Sequence, residues 1–396
     1  MKRVAYLINF EHTKWLGGYN LIKDLILIIK RYSNNKIMPV LIVKKNFKKK
    51  DLLDYKNIEI IKTNFFLNHS KLQKLFYKAQ AILKGKCINY EKFFEDKNID
   101  VLSHINVYSN NLILGKKSSV KTLSLIADFQ HHYLPENFSL RQRILRNLNI
   151  YLSCFFSSKI LLLSKDGKKD LKRISKKGFR NSSISRSIFI PPKKKMILKL
   201  SILKKKFNFN TNYFFLPNHY WKHKNHKVVL DSLDYLKKKN KLGNILILST
   251  GSKDDQKGFE IFKKLFEFTK LNNLEKNYRY LGIVSNIELM SLMFHSVAVI
   301  NPSEFEGRSS TVEQAKSLGK QVILSNIKIH KEQKPDKAKY FKVHDYKALS
   351  TIIESKWKSF DKNKDLKKID KAYLKFEKNL FRYFLEYKSI INTLFK

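Results

Sequence analysis

Residues 297–333 constrain the fold more tightly than any other part of this chain. Val297, Ala298, Val299 and Ile300 form an apolar, strand-like run that breaks at Asn301 and Pro302. Glu304, Glu306, Gly307, Arg308, Ser309, Ser310 and Thr311 then make a short polar loop, after which Val312, Ala315 and Leu318 recur at helical spacing. Gly319 stands where a C-terminal helix cap belongs, and residues 322–324 open a second β-type run. Strand, polar loop, helix and strand make the repeating unit of a parallel α/β sheet. Open sheets of that kind bind ligands at the carboxyl ends of their strands.

The loop has the chemistry for a nucleotide-sugar. Gly307 permits close backbone approach, while the amides of Ser309, Ser310 and Thr311 open the helix and aim its positive dipole end at an anion. Glu306 offers a carboxylate to sugar hydroxyls just ahead of that N-terminus. Gln314 lies eight positions further on (314 − 306 = 8), about two helical turns, and so faces the same cleft.

The run EGRSSTVEQAKSLGKQVILSN resembles, without gaps, the group 1 glycosyltransferases, retaining enzymes of the GT-B fold whose C-terminal half carries two glutamates eight apart. Glu306 matches the first. Gln314, with Glu313 beside it, stands at the second, which in the family binds the nucleotide ribose. A neutral acceptor forms bonds roughly half as strong as a charged one, so donor binding is expected to be about 1 kcal/mol weaker. The resemblance implies an α/β architecture of two facing Rossmann-like domains with a C-terminal helix returning to the first. The boundaries fall at 1–200, 201–370 and 371–396.

A chain of 396 residues suits two ordinary domains, and 43% hydrophobic content with 13% aromatic supports real cores. The formal charge of +47 invites a nucleic-acid reading, but the basic residues are mostly Lys spread along the chain, whereas phosphate readers cluster Arg in a motif. Such a surface is expected to be drawn to anionic lipid. Cys87 and Cys154 make neither a disulfide framework nor a metal site, consistent with a reduced, cytoplasmic setting. MKRVAYLINF is too short an apolar run for a signal peptide and meets Glu11 and His12 at once. Residues 150–163 are cut by Ser157, Ser158 and Lys159, well short of a membrane span.

Residues 4–9 read as a buried first strand, and Gly17 and Gly18 as a bend immediately before a helix in which Leu21, Leu25, Ile28 and Ile29 repeat. A glycine pair there serves a tight turn or lets bare amides approach a phosphate. The family has a similar glycine loop, so both residues are expected on the donor diphosphate. Residues 37–106 alternate apolar runs with amphipathic segments, as further βα units do. Asp128, Gln130, His131, His132 and Tyr133 then crowd one loop after a strand ending at Ile126. The sequence ADFQHHYLPENFS looks like a family loop whose histidine approaches the transferred sugar. His131 is the candidate, with His132 its competitor; Asp128 and Gln130 are expected on the donor.

A helix is expected from Leu140 to about Phe156, a strand then ends at Ser164, and residues 178–206 read as the interdomain linker. The second domain opens with a strand at 213–216 and a loop holding His219, Lys222, His223 and Lys224 before a helix from about Asn225. Lys224 aligns with the family lysine that neutralises the diphosphate, or is one more solvated lysine. His219 stands where the family has Arg. A zinc site built on the histidines fails for want of Cys or carboxylate at ligand spacing. The resemblance puts Val284 at a position whose backbone, in the family, packs on the nucleobase. Tyr373, Phe376, Leu380, Tyr383 and Phe384 line one side of the C-terminal helix.

The family resemblance implies retaining transfer of a hexose, mannose-type or similar, from a nucleoside-diphosphate sugar to a glycan or lipid-linked acceptor, expected at the inner face of the plasma membrane. The setting expected is bacterial surface polysaccharide or lipopolysaccharide synthesis. No Asp-x-Asp pair occurs, so neither metal nor other cofactor is expected, and Lys224 with helix N-termini takes the leaving group. The competing expectations are a non-catalytic member of the fold, suggested by Gln314 and His219, and a basic nucleic-acid-binding protein.

Overall fold

The computed structural model describes every residue except 9–15, 48–51, 53–54, 67–68, 109–111, 254–255 and 337. The chain divides into two compact units, residues 1–188 with 378–396 and residues 189–377. In the first, β1 (Lys2–Ile8), β2 (Ile37–Val43), β3 (Glu59–Lys62), β4 (Val101–Asn106), β5 (Lys121–Ile126), β6 (Lys159–Leu162) and β7 (Ser182–Ile184) form one sheet in the order β3-β2-β1-β4-β5-β6-β7. All its pairings are parallel. A parallel sheet covered on both faces needs continuous apolar strands, and residues 4–8 and 40–43 are buried throughout. Asn9, expected to end the first strand, lies outside the described residues, as do Glu11 and His12.

Three local expectations change. The helix Leu16–Tyr32 buries Leu21, Leu25, Ile28 and Ile29 as its periodicity predicts, but Gly17 and Gly18 lie within its first turn rather than before it. The polar island after β5 is partly a helical turn, Gln130–Tyr133, not a loop throughout. Residues 178–206 are not a simple linker: β7 completes the first sheet and Leu200–Phe207 is a helix of the second unit. A three-residue edge strand carries too few apolar positions to show a period.

In the second unit β8 (Phe214–Pro217), β9 (Ile247–Thr250), β10 (Tyr278–Tyr280), β11 (Val299–Asn301), β12 (Val322–Ser325) and β13 (Lys339–Phe341) form a parallel sheet in the order β10-β9-β8-β11-β12-β13. Phe214 and Leu216 enter one core cluster and Phe215 the other, following the two-residue alternation of a strand. The chain builds outward from β8 on one side, then returns to place β11 on the other. The order therefore reverses between β8 and β11, which leaves a crevice at their carboxyl ends. The segments 218–225 and 302–309 both leave the sheet there.

The last helix, Lys362–Asn392, contributes residues up to 377 to the second unit and the rest to the first. At its start Asp365 pairs with the fully buried Lys320, whose ammonium also donates to Phe294 O at 3.0 Å. Further along, Leu380, Tyr383, Phe384 and Tyr387 are buried. Tyr6 donates to the Tyr387 hydroxyl at 2.7 Å, and Ser103 Oγ lies 2.9 Å from the same oxygen. β4 slips register between Leu102 and Ile105 at this point, with His104 in the left-handed region at φ 57°.

Gly251, just past β9, has φ 143°, and a Cβ there would lie 2.3 Å from Asn218 O, so the segments leaving β8 and β9 touch through bare backbone. Gly251→Ala should therefore cost about 2–4 kcal/mol in urea unfolding. Gly243→Ala, at φ 50° with open space around it, should cost only about 1 kcal/mol.

Candidate active site

Because β8 and β11 are neighbours, Asn218 and Asn301 at their carboxyl ends meet: Asn218 Nδ2 donates to Asn301 Oδ1 at 3.2 Å. Asn301 Nδ2 in turn donates to Ser309 Oγ at 2.7 Å. The same Ser309 Oγ accepts from Val312 N at 3.3 Å and so caps the helix Ser310–Ser317. Ser303 Oγ lies 2.7 Å from Asn301 Oδ1 and 2.8 Å from Glu306 Oε1 and shares its one hydrogen between them. The polar segment after β11 is thus tied at both ends before it reaches any ligand. Glu304 N donates to His223 O at 2.8 Å, which joins it to the segment after β8.

The centre of this arrangement is an ion pair. Lys224 Nζ donates to Glu306 Oε1 at 2.7 Å, with the two side chains only 13% and 10% exposed. Burial pushes the Glu306 carboxyl up, but the Lys224 ammonium outweighs it and His330 and Ser303 add to the effect, so its pKa falls from 4.5 to about 2. The surrounding imidazoles go the other way. Burial and the Lys224 charge hold His223 at about 4, and burial holds His226 at about 4. His330 is also lowered by burial, despite Glu306. Its Nδ1–H donates to Ser325 O at 2.9 Å, which leaves a buried, unpartnered Nε2. Near neutral pH these rings are uncharged, so Lys224 and Glu306 carry the charge of the site.

The positions singled out in the sequence part company here. Gln314 is buried to 9% exposure, yet its side-chain amide makes no hydrogen bond among the described residues. Glu313 cannot stand in for it, because Glu313 Oε1 accepts from Arg308 at 2.6 Å and from Gln333 at 2.9 Å. Gln333 also takes the Ser309 amide, at 3.3 Å, so of the three amides expected to face an anion only those of Ser310 and Thr311 have no partner among the described residues. Gly307 is half-buried between Glu306 and this cap.

His219 is no substitute cation: its Nδ1 accepts from Ser252 N at 2.9 Å, which requires a lone pair there. Val284 is partly buried, its side chain packed against the core cluster that holds Phe215 and Leu248. Asn218, Asn301, Ser303, Arg308, His330 and Gln333 carry no spacing signal, and none was singled out for the site from the sequence.

In the first unit, Asn147 Oδ1 lies 3.0 Å from Nε2 of both His131 and His132, so both rings donate from Nε2. His131 is buried, with Nδ1 unpartnered, whereas His132 is exposed. Burial lowers His131 to about 4. Asp128 Oδ1 accepts from Gln130 N at 3.0 Å and from Arg146 at 3.4 Å. The Arg146 guanidinium lies over Tyr108 and Phe138, 3.8 and 4.6 Å from their ring centroids. Arg146 and Asn147 come from the following helix and carry no signal of such a role in the sequence. Among the described residues no group of three or more His, Cys, Asp or Glu side chains could hold a metal ion.

Residues 201–372 match the family model of the glycosyl transferases group 1. Among solved structures, a glycosyltransferase from Rickettsia africae is 15% identical, with a TM-score of 0.68 over 100% of this chain and 99% of that one. The Anabaena protein HepE in complex with UDP and glucose is 14% identical, with a TM-score of 0.68 and the same coverage. A lipopolysaccharide outer core galactosyltransferase, WaaB, is 15% identical, with a TM-score of 0.59 over 99% of each chain. At such identities these likenesses establish the fold, GT-B, in agreement with the architecture expected from the sequence. No curated protein sequence matches the chain.

A carboxyl group whose pKa is lower folded than unfolded stabilises the fold above its unfolded value and loses that contribution as pH falls through the folded one. Glu306 should therefore withdraw roughly 3 kcal/mol of stability between pH 4.5 and about 2, read by urea unfolding across that range. Lys224→Met, which strands the carboxylate, should cost roughly 3–5 kcal/mol at neutral pH, and adding Glu306→Gln should recover most of it.

Proposed function

We propose that the chain, whose fold is GT-B and whose residues 201–372 match the family model of the glycosyl transferases group 1, is a glycosyltransferase that transfers a hexose, with retention, from a nucleoside-diphosphate sugar to a hydroxyl of a glycan or lipid-linked acceptor. The observation that carries this reading is the buried Lys224–Glu306 pair at the switch point of the second sheet. An ammonium has three donors and Glu306 takes one, so the others are open to a diphosphate. The unpartnered amides of Ser310 and Thr311 add the positive end of their helix. Gln314 offers its unpartnered amide to the ribose, and Glu306 offers Oε2 to the sugar hydroxyls. Gly307 lets the sugar approach the backbone. Gly17 and Gly18 remain the proposed phosphate contacts of the first unit, Val284 the neighbour of the base, and His131, with its unpartnered Nδ1, the proposed histidine near the reacting carbon.

In this reading the bond from the anomeric carbon to the diphosphate breaks with its electron pair on the phosphate oxygen. The acceptor oxygen bonds to the same face of that carbon, and its proton passes to the departing diphosphate. The oxocarbenium-like state between is stabilised mainly by Lys224 against the leaving group, with no metal required. Two neighbours support the ligand classes: HepE was solved with UDP and glucose, and WaaB is described as a lipopolysaccharide galactosyltransferase. A lipid-linked acceptor would place the work at the cytoplasmic face of a membrane. His219 adds no cation and Gln314 is neutral, so donor binding rests more heavily on Lys224 than the family pattern implies.

A panel of UDP- and GDP-hexoses tests this directly, since a true donor raises the melting temperature by mass action. Turnover with that donor should fall about a hundredfold, roughly 3 kcal/mol, in Lys224→Met assayed where the variant is folded. EDTA should leave wild-type turnover unchanged. Stabilisation by none of the donors would end the proposal, and activity lost in EDTA but restored by manganese would end its metal-free form.

A further inference from the structure

The helix Leu140–Phe156 in the first unit is apolar on its buried face and again on an exposed face beside it. Ile150 and Cys154 are buried beneath it, whereas Leu140, Ile144, Leu148, Tyr151 and Phe155 are each at least 47% exposed. Their spacing of four, four, three and four is the helical repeat, so they form one stripe of about 22 Å along the outer surface. An amphipathic helix at a protein surface ordinarily turns polar residues outward. A contiguous outward stripe of large apolar side chains marks a binding surface instead.

Charge at the end of the stripe selects its occupant. Lys116 and Lys177 place their ammonium groups 3.5 and 3.9 Å from the centroid of the Phe155 ring. Neither forms an ion pair among the described residues, and the whole chain carries +47. Two unneutralised cations beside an apolar stripe complement a surface that is anionic at its edge and hydrocarbon beneath. A second copy of the chain would bring +47 against +47. No described helix is long and apolar enough to cross a membrane, so the stripe would lie along an interface rather than span it.

The neighbouring helix Lys71–Leu83 extends the pattern. Its Tyr77 and Ala81 share a core cluster with Leu152 and Phe156, while Leu72, Leu75 and Phe76 point outward, 60–79% exposed.

We propose that the outer face of the helix Leu140–Phe156, flanked by Lys116 and Lys177, docks the protein on an anionic phospholipid bilayer. The apolar side chains enter the headgroup and acyl boundary while the two ammonium groups meet lipid phosphates. This rests on the membrane setting proposed above but is read by binding alone, so failure to find a sugar donor leaves its test intact.

Co-sedimentation of the full chain with vesicles of phosphatidylcholine, alone or mixed with phosphatidylglycerol, tests it. Wild type should bind the mixed vesicles and be released by salt. Ile144→Glu with Leu148→Glu should weaken binding about tenfold or more, with circular dichroism and melting unchanged because both positions are exposed. Lys116→Glu with Lys177→Glu should do the same. Binding by both variants equal to wild type would overturn the proposal and assign the affinity to lysines elsewhere. So would a wild type that ignores both vesicles, including one that forms a dimer the apolar-stripe variant disrupts.

Discussion

The second unit depends on one buried attraction, that between the Lys224 ammonium and the Glu306 carboxylate. Neither group could be held so far from water alone, since the desolvation of each is offset chiefly by the other, with the hydroxyl of Ser303 adding a hydrogen bond to the carboxylate. The pair joins the segment leaving β8 to the segment leaving β11, and Asn218 and Asn301 repeat that join beneath it. A buried carboxylate held ionised by a lysine is also a lysine held in place. The interaction that maintains the loop therefore sets where positive charge can meet a ligand.

The other titratable groups leave this charge undisturbed. His223, His226 and His330 are buried and titrate well below or below their usual range, and His226 is fixed further by stacking on Tyr220, with ring centroids 4.3 Å apart. Arg308 is neutralised by Glu313, and that pair with Gln333 supports the loop from behind. An arrangement of neutral rings and paired charges keeps the field at the helix N-terminus from being cancelled by neighbours. Water exclusion strengthens what remains.

Much of this was legible because local patterns carry it. Apolar runs such as residues 40–43 had to be buried strands, and the spacing of Leu21, Leu25, Ile28 and Ile29 admitted only a helix with one face inward. Gly319, with φ 68°, ends its helix as its position suggested. The short β7 and the helical turn at Gln130–Tyr133 were not legible, because segments of three or four residues show no period. The site was legible in its centre and not in its surroundings. Glu306, Lys224 and Gln314 stand in a recognisable run or at a helix start, whereas Gln333 reaches Ser309 across 24 residues. That Glu313 is consumed by Arg308 and Gln333, and that His219 accepts an amide from Ser252, follow only from contacts between distant segments.

The amino-acid sequence by itself determined that this chain builds parallel α/β units and that a glutamate beside a glycine sits on the loop after one strand, since both follow from order and spacing along the chain. Tertiary structure alone decided which charges meet. The strand order placing β8 beside β11 brings Lys224 within 2.7 Å of Glu306 from 82 residues away, and that ammonium then keeps the carboxylate ionised against its burial, while burial keeps the neighbouring histidines neutral.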